Sequence, residues 1–576
     1  MKPASFLYMM RSRVIPFLMA ITVIPRLLHG QDVEAVIKAP PLTANGGIAF
    51  SQIVQAADRG KAQSPYSYYL TGNLNFNFFG AANVPLSFAF SNQQFSGRAS
   101  LPFNRFSIAP SCKWIKAYAG YASLQFSPYT LAGHEIFGGG AELSPPGRFK
   151  FTAIYGRLKK AIYGQEGEPA YRRMGGGFKA EYADEHFDAG VNIFKAKDIS
   201  DPSVFLNPDS ITVLPQDNLS GSVYLNVRLA GKVRYGAEYG VSAMNRDMRG
   251  SKGNALFDNS GDVSVYHAMR HNITCTLSAG AVGASYERVA PNYATLGAYY
   301  MLSDFENITA NFSTVIKDVN IAVDGGYQHD NLKNQKSAAT SRMIFSGSVS
   351  TAIGQKWNLG ANVSNVQSYM HIRDIYRQLS QTNEFQNLDT LEYTQVNLTS
   401  SANVAYLLQN TEQQRQSISA GFMYQRAAEQ QEYTAYRGNN IYNGSLVYQF
   451  SHIPAKWSVS AFVNYNHNLT PDMYTGTASY SLSAQKSFTE KLQGAFAATY
   501  SNMSGNGENM ANVLNVRITG GYALLKKHNF SLSAAAVRTG SKTQKNVQYS
   551  INLAYGYSFG MTVARKDKKV AVSGSF

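Results

Sequence analysis

The sequence predicts an all-β protein, a transmembrane antiparallel up-and-down β-barrel of about 24 strands (22–26) with no N-terminal plug domain. Three observations predict it. Side chains alternate between apolar and polar with a period of two over stretches of about 9–12 residues, a strand pattern and not a helical one. Charged residues make up only 15% of the chain, while Tyr and Phe number 37 and 32; ordinary soluble domains carry roughly 25% charge. Beyond the N-terminus, no run reaches the ~18 consecutive apolar residues that a spanning helix needs.

Residues 1–30 read as a secretory signal. Lys2, Arg11 and Arg13 form a basic leader, 14–25 is an apolar core, and cleavage falls between Gly30 and Gln31. No Cys follows that core, so a lipid-anchored form is not expected. Residues 31–63 read as an N-terminal periplasmic segment or an extra strand, the strand pattern lying at 47–57. The barrel is expected over 64–576.

Within 70–78, Leu70, Gly72, Leu74, Phe76 and Phe78 take one face, and Thr71, Asn73, Asn75 and Asn77 the other. In 221–229, Val223, Leu225, Val227 and Leu229 oppose Ser222, Tyr224, Asn226 and Arg228. The segment 549–559 sets Tyr549, Ile551, Leu553, Tyr555, Tyr557 and Phe559 against Ser550, Asn552, Ala554, Gly556 and Ser558. Such lengths match the 9–11 residues of a tilted strand crossing a bilayer, whereas soluble strands average about 5–6. Aromatics at the ends of the apolar face, Tyr474 and Phe559 among them, fit interfacial girdles. In hydrocarbon every backbone N–H and C=O needs a partner, so the sheet must close.

Tight links such as Pro145-Pro146-Gly147, Ala230-Gly231-Lys232 and Ile453-Pro454-Ala455-Lys456 alternate with longer polar connections at 201–216, 247–262, 371–390 and 430–439. That is the rhythm of short periplasmic turns and longer external loops. Counting from 64 to 560 on this basis gives the figure of about 24. The Gly138-Gly139-Gly140 run reads as a kink or close-packing site in a curved strand.

The tail 570–576 alternates again and closes on an aromatic residue, Phe576, behind Gly574 and Val572. It resembles the C-terminal assembly signal of outer-membrane barrels, which implies recognition by the barrel-assembly machinery; the basic run at 565–569 departs from that pattern. The Tyr/Asn-rich strands and the expected cut before Gln31 resemble Bacteroidetes-type outer-membrane β-barrel proteins. The resemblance implies location in the cell outer membrane and specifies no activity.

Net charge is +16, to which Lys2, Arg11, Arg13 and Arg26 contribute four positives. The charge is spread along the chain, so lipid headgroups and lipopolysaccharide phosphates are the expected partners, and nucleic acid is not. Cys112 and Cys275 have neither the spacing of a zinc site nor that of a disulfide framework and are expected to be unpaired.

With only 31–63 ahead of the strands, there is no room for the plug of a TonB-dependent transporter. A wide barrel without a plug is expected to be a channel or conduit for polar solutes or a secreted substrate. The alternative is a non-conducting subunit of an outer-membrane complex, docked to a lipoprotein or another outer-membrane partner. Lumen-facing candidates are Asn73, Asn75, Asn77, Asn226, Arg228 and Asn552. An outer-membrane hydrolase is the weakest reading. His267 and His271 fall on the lipid-facing stripe, and His134-Glu135 and His371 to Asp374 have no partner fixed by spacing. No catalytic residue, metal site or cofactor is expected.

Overall fold

The computed structural model describes residues 39–58, 65–92, 104–163, 169–204, 213–229, 231–249, 257, 263–335, 341–365, 396–429, 437–470, 472–541 and 545–563. Residues 1–30, expected to be a signal, the tail with Phe576 and the connection holding His371 to Asp374 lie outside them. The strands of the first half are β1 (Leu42–Ala57), β2 (Tyr66–Phe78), β3 (Ala82–Ser91), β4 (Arg105–Ile108), β5 (Ser111–Cys112), β6 (Ile115–Ser123), β7 (Glu135–Leu143), β8 (Phe149–Lys159), β9 (Arg172–Ala183), β10 (Phe187–Ile199), β11 (Asp217–Leu229), β12 (Val233–Asn245), β13 (Val263–Leu277) and β14 (Gly280–Val289). The second half holds β15 (Phe305–Ile316), β16 (Val319–Asp330), β17 (Ser341–Ile353), β18 (Trp357–Ser364), β19 (Val396–Asn410), β20 (Gln414–Glu429), β21 (Arg437–His452), β22 (Trp457–Leu469), β23 (Tyr474–Ser487), β24 (Leu492–Gly505), β25 (Glu508–Leu524), β26 (His528–Ser541) and β27 (Lys545–Val563).

Consecutive strands pair antiparallel, and β1 pairs with both β2 and β27, so the sheet is a closed ring without a free edge. Strands β4 and β5 are two pieces of one stave split at Ala109-Pro110, since both pair with β3 on one side and β6 on the other. Counted this way the barrel has 26 staves.

The expectation of about 24 is thereby corrected, for two reasons. Residues 42–57 form a complete stave, and the broken stave at 105–112 is too short and too interrupted to carry an alternating stretch. An even total keeps both the start of β1 and the end of β27 on the tight-turn rim, with the longer connections at the opposite rim. At about 4.8 Å between strands and a tilt of about 40°, the wall measures roughly 160 Å around.

Residues directly opposite each other in an antiparallel sheet share a face, so the two faces can be followed around the ring. On one face stand half-exposed Tyr155, Val223, Val265, Tyr480 and Leu553, a large apolar surface of the kind lipid covers. On the other face Asn73 pairs with Ser87, Ser87 with Ser107, Ser107 with Gly120, Gly120 with Gly138, Gly138 with Gly156, and Gly156 with Gly175. Four glycines in one row let neighbouring staves close to distances no side chain permits. A Cβ on Gly138 would stand 2.1 Å from the Tyr155 carbonyl oxygen, and Gly120 adopts φ +92°. The glycine row is thus a close-packing site between staves.

Candidate functional site

Among the described residues, the interior is filled on one side only. Two connections of the long-loop rim, 124–134 between β6 and β7 and 290–304 between β14 and β15, turn inward and pack on the lumen face of staves β6 to β14. Phe126 and Leu131 of the first connection and Leu296 of the second join Ile136, Ile154, Leu158, Phe194, Ala196 and Met244 in a buried cluster. A neighbouring cluster holds Tyr129, Tyr293, Ala268 and Val289. These apolar side chains break the wall's period-two polarity because they face protein instead of water. Gly240 supplies the clearance, since a Cβ there would come within 2.7 Å of the Tyr129 side chain.

Polar atoms buried with the two connections are paired, as they must be away from water. Thr130 Oγ1 donates to Asn192 Oδ1 at 2.6 Å, and Asn192 donates to Ser222 at 2.8 Å. Tyr129 Oη donates to Glu287 at 2.8 Å, and Ser127 and Ser222 both donate to Glu238. The connections also hold each other. Tyr293 Oη donates to the Tyr129 carbonyl at 2.8 Å, Thr295 Oγ1 to the Thr130 carbonyl at 2.7 Å, and the Leu296 amide to Asn218 at 3.1 Å. Burial, with the Glu287 carboxylate beside it, raises the Tyr129 hydroxyl pKa, and burial raises that of Tyr293. Both phenols stay neutral donors.

His134 ends the first connection. It is buried, stacks on Tyr299 at 4.0 Å between ring centroids, and its Nδ1 lies 2.9 Å from the Glu135 carbonyl oxygen. Burial pushes its pKa down to about 4, and the charges of Arg173 and Lys159 act in the same direction. His134 is thus a structural pin, and no acid–base partner stands against it.

Among the described residues, nothing packs on the remaining wall. Among the described residues from 341 to 534, the only fully buried positions are Gly476 and Gly505. Its lumen face carries Asn, Ser and Thr bonded sideways in rows: Asn464 to Asn443 at 3.0 Å, Thr499 to Ser481 at 2.9 Å, Ser460 with Ser483 at 2.7 Å, and Ser479 with Ser501 at 2.8 Å.

Asn73, Asn75 and Asn77 lie opposite Gly47, Asn45 and Thr43, and Asn552 opposite Ser533, all on this polar face. Asn226 and Arg228 share the face on β11, but they are tied together. Asn226 donates to Asp188 at 2.7 Å, and Arg228 pairs with Asp188 at 2.7 Å and with the carbonyls of Asp184 and Glu185. Arg228 therefore clamps a turn at the tight-turn rim.

His267 and His271 stand on the lipid-facing side, their Nδ1 atoms 2.8 Å from the hydroxyls of Tyr239 and Tyr235. Cys112 and Cys275 are unpaired. Among the described residues no His/Cys/Asp/Glu group is arranged to hold a metal ion. Sequence reasoning missed the inward connections. The available signal was Phe126, Tyr129, Leu131, Tyr293 and Leu296, an excess of large apolar residues in segments too irregular for strands.

Solved structures similar to this chain include the translocation pore of the P pilus usher, at 11% identity and TM-score 0.36, covering 90% of this chain and 99% of that one. The ferric citrate transporter FecA in its unliganded form is similar at 8% identity and TM-score 0.38, with 90% and 79% covered. OpdR of Pseudomonas aeruginosa gives 8% identity and TM-score 0.32, with 90% and 96% covered. These neighbours are Gram-negative outer-membrane β-barrel proteins. No protein-family model matches the chain, and no curated protein matches it.

Proposed function

We infer that this chain spans the bacterial outer membrane and conducts polar solutes through a lumen narrowed by its own connections 124–134 and 290–304. The bare Asn/Ser/Thr wall carries this reading. A polar face on which no described residue packs over 341–534 is stable only against water, and its reverse side is apolar enough to face lipid. The barrel is thus wet within and greasy outside over about half its circumference, while the other half holds the constriction. Asn, Ser and Thr side chains, with Arg517 on the same face, suit a polar solute that sheds and regains hydrogen bonds.

Conductance of the purified, refolded chain in a planar bilayer tests this. Stable open steps are expected, with permeation of uncharged polar solutes in swelling assays of the same vesicles. Silence in both, from protein shown to be folded and inserted, would favour the second reading. There the open half of so wide a lumen houses a partner polypeptide or docks a lipoprotein and conducts nothing alone.

A further inference from the structure

The tight-turn rim carries a repeated device that conduction does not use. Lys113, Lys317, Lys356, Lys456, Lys491 and Lys526 each stand in a tight turn, exposed, and none has an ion-pair partner among the described residues. Four of them, Lys113, Lys317, Lys456 and Lys526, adopt φ between +50° and +56°. That is the left-handed region, which disfavours any side chain with a Cβ and which turns usually give to Gly or Asn. Such a backbone does not call for lysine, so its ammonium is the feature to explain.

The second observation is aromatic. The chain has three Trp, and each directly follows one of these lysines, as Lys113-Trp114, Lys356-Trp357 and Lys456-Trp457. Trp357 and Trp457 begin staves on the lipid-facing side. Trp357 packs on Tyr406 with centroids 4.4 Å apart, and Trp457 on Phe450 at 5.1 Å. An indole at the headgroup level beside an unpaired ammonium on a flexible stem is the chemistry that holds a lipid phosphate over its glycerol backbone.

We propose that this lysine–tryptophan collar is a binding surface for anionic glycerophospholipid headgroups of the leaflet on the tight-turn side. It rests on the membrane-spanning reading above. The six turns are spaced around the wall, so the collar binds several lipids of the leaflet and not one molecule in a pocket. Attraction of about five-fold enrichment per lysine is the expected scale, screened by salt.

The full mature chain with Trp114→Phe leaves Trp357 and Trp457 as reporters. It is reconstituted in vesicles carrying a fixed fraction of brominated phosphatidylglycerol or, separately, brominated phosphatidylcholine. Stronger quenching by the phosphatidylglycerol is expected, reduced at high salt and abolished by Lys356→Gln with Lys456→Gln. Equal quenching by the two lipids overturns the proposal, as does a preference that survives the double substitution in protein shown to be folded. Absence of quenching by either lipid overturns it from below, because the barrel is then not in the bilayer at all.

Discussion

Replacing Phe126 and Leu131 together by alanine is expected to release the 124–134 connection from the lumen wall and widen the pore. Phe126 is 5% and Leu131 0% exposed, and both contact the same cluster. Such truncations cost about 3–5 kcal/mol for Phe and about 2–5 kcal/mol for Leu, with overlap because the residues share neighbours. A combined loss of about 5 kcal/mol is close to what moves a two-state equilibrium from 1:99 to 99:1. The stave-to-stave ladder takes no part in that cluster, so the barrel itself stays closed.

The double variant should show larger single-channel steps and new protease cleavage within 124–134. Its heat-dependent gel mobility, which reports the intact barrel, should stay normal. Cleavage at 124–134 with conductance unchanged would refute the reasoning, since the connection would then be free and still not limit the passage.

Acidification should loosen the same connection through His134. Its pKa is lowered to about 4 by burial, so between pH 6.5 and 4 the released form binds a proton that the docked form does not. The docked form therefore loses up to about 3 kcal/mol as pH falls through that window. Protease sensitivity of 124–134 should rise over the window, and His134→Phe, which retains a ring against Tyr299, should flatten the dependence. Gly120→Val should abolish folding into the heat-modifiable form, since its φ is +92° and a Cβ would meet the Phe106 carbonyl at 2.2 Å, whereas Gly520→Ala, with nothing within 4 Å, should fold normally. Arg228→Asp should shift the reversal potential toward cations at low ionic strength only, because at 0.1 M salt a rim charge reaches about 10 Å into a far wider opening. An unshifted potential at low salt would place Arg228 outside the conducting path. Tyr129→Phe should cost about 1.5–3 kcal/mol of docking by leaving the Glu287 carboxylate without its donor, read as added conductance noise.

The sequence by itself determined the class of fold and the facing of side chains in the runs where the alternation is strict. Lipid on one side and water on the other impose a period of two, and that period is local, written in runs such as Leu70 to Phe78 and Tyr549 to Phe559. The number of staves escaped it where locality fails. Residues 42–57 mix Gly, Ser, Gln and apolar side chains, and the stave at 105–112 is broken at Ala109-Pro110. The stave at 105–112 is recognisable as a strand only by the neighbours it pairs with, and 47–57, which reads as either a periplasmic segment or an extra strand, is settled as a stave only by its pairing with β2 and β27. The inward connections were likewise beyond reach. Phe126 and Tyr293 lie far apart in the chain, and a large apolar residue in an irregular segment reads the same whether it turns into the lumen or out over the rim. Only the tertiary structure decided that, because the two neighbouring clusters that bury them are assembled from staves β6 to β14, with glycines at distant positions clearing the room.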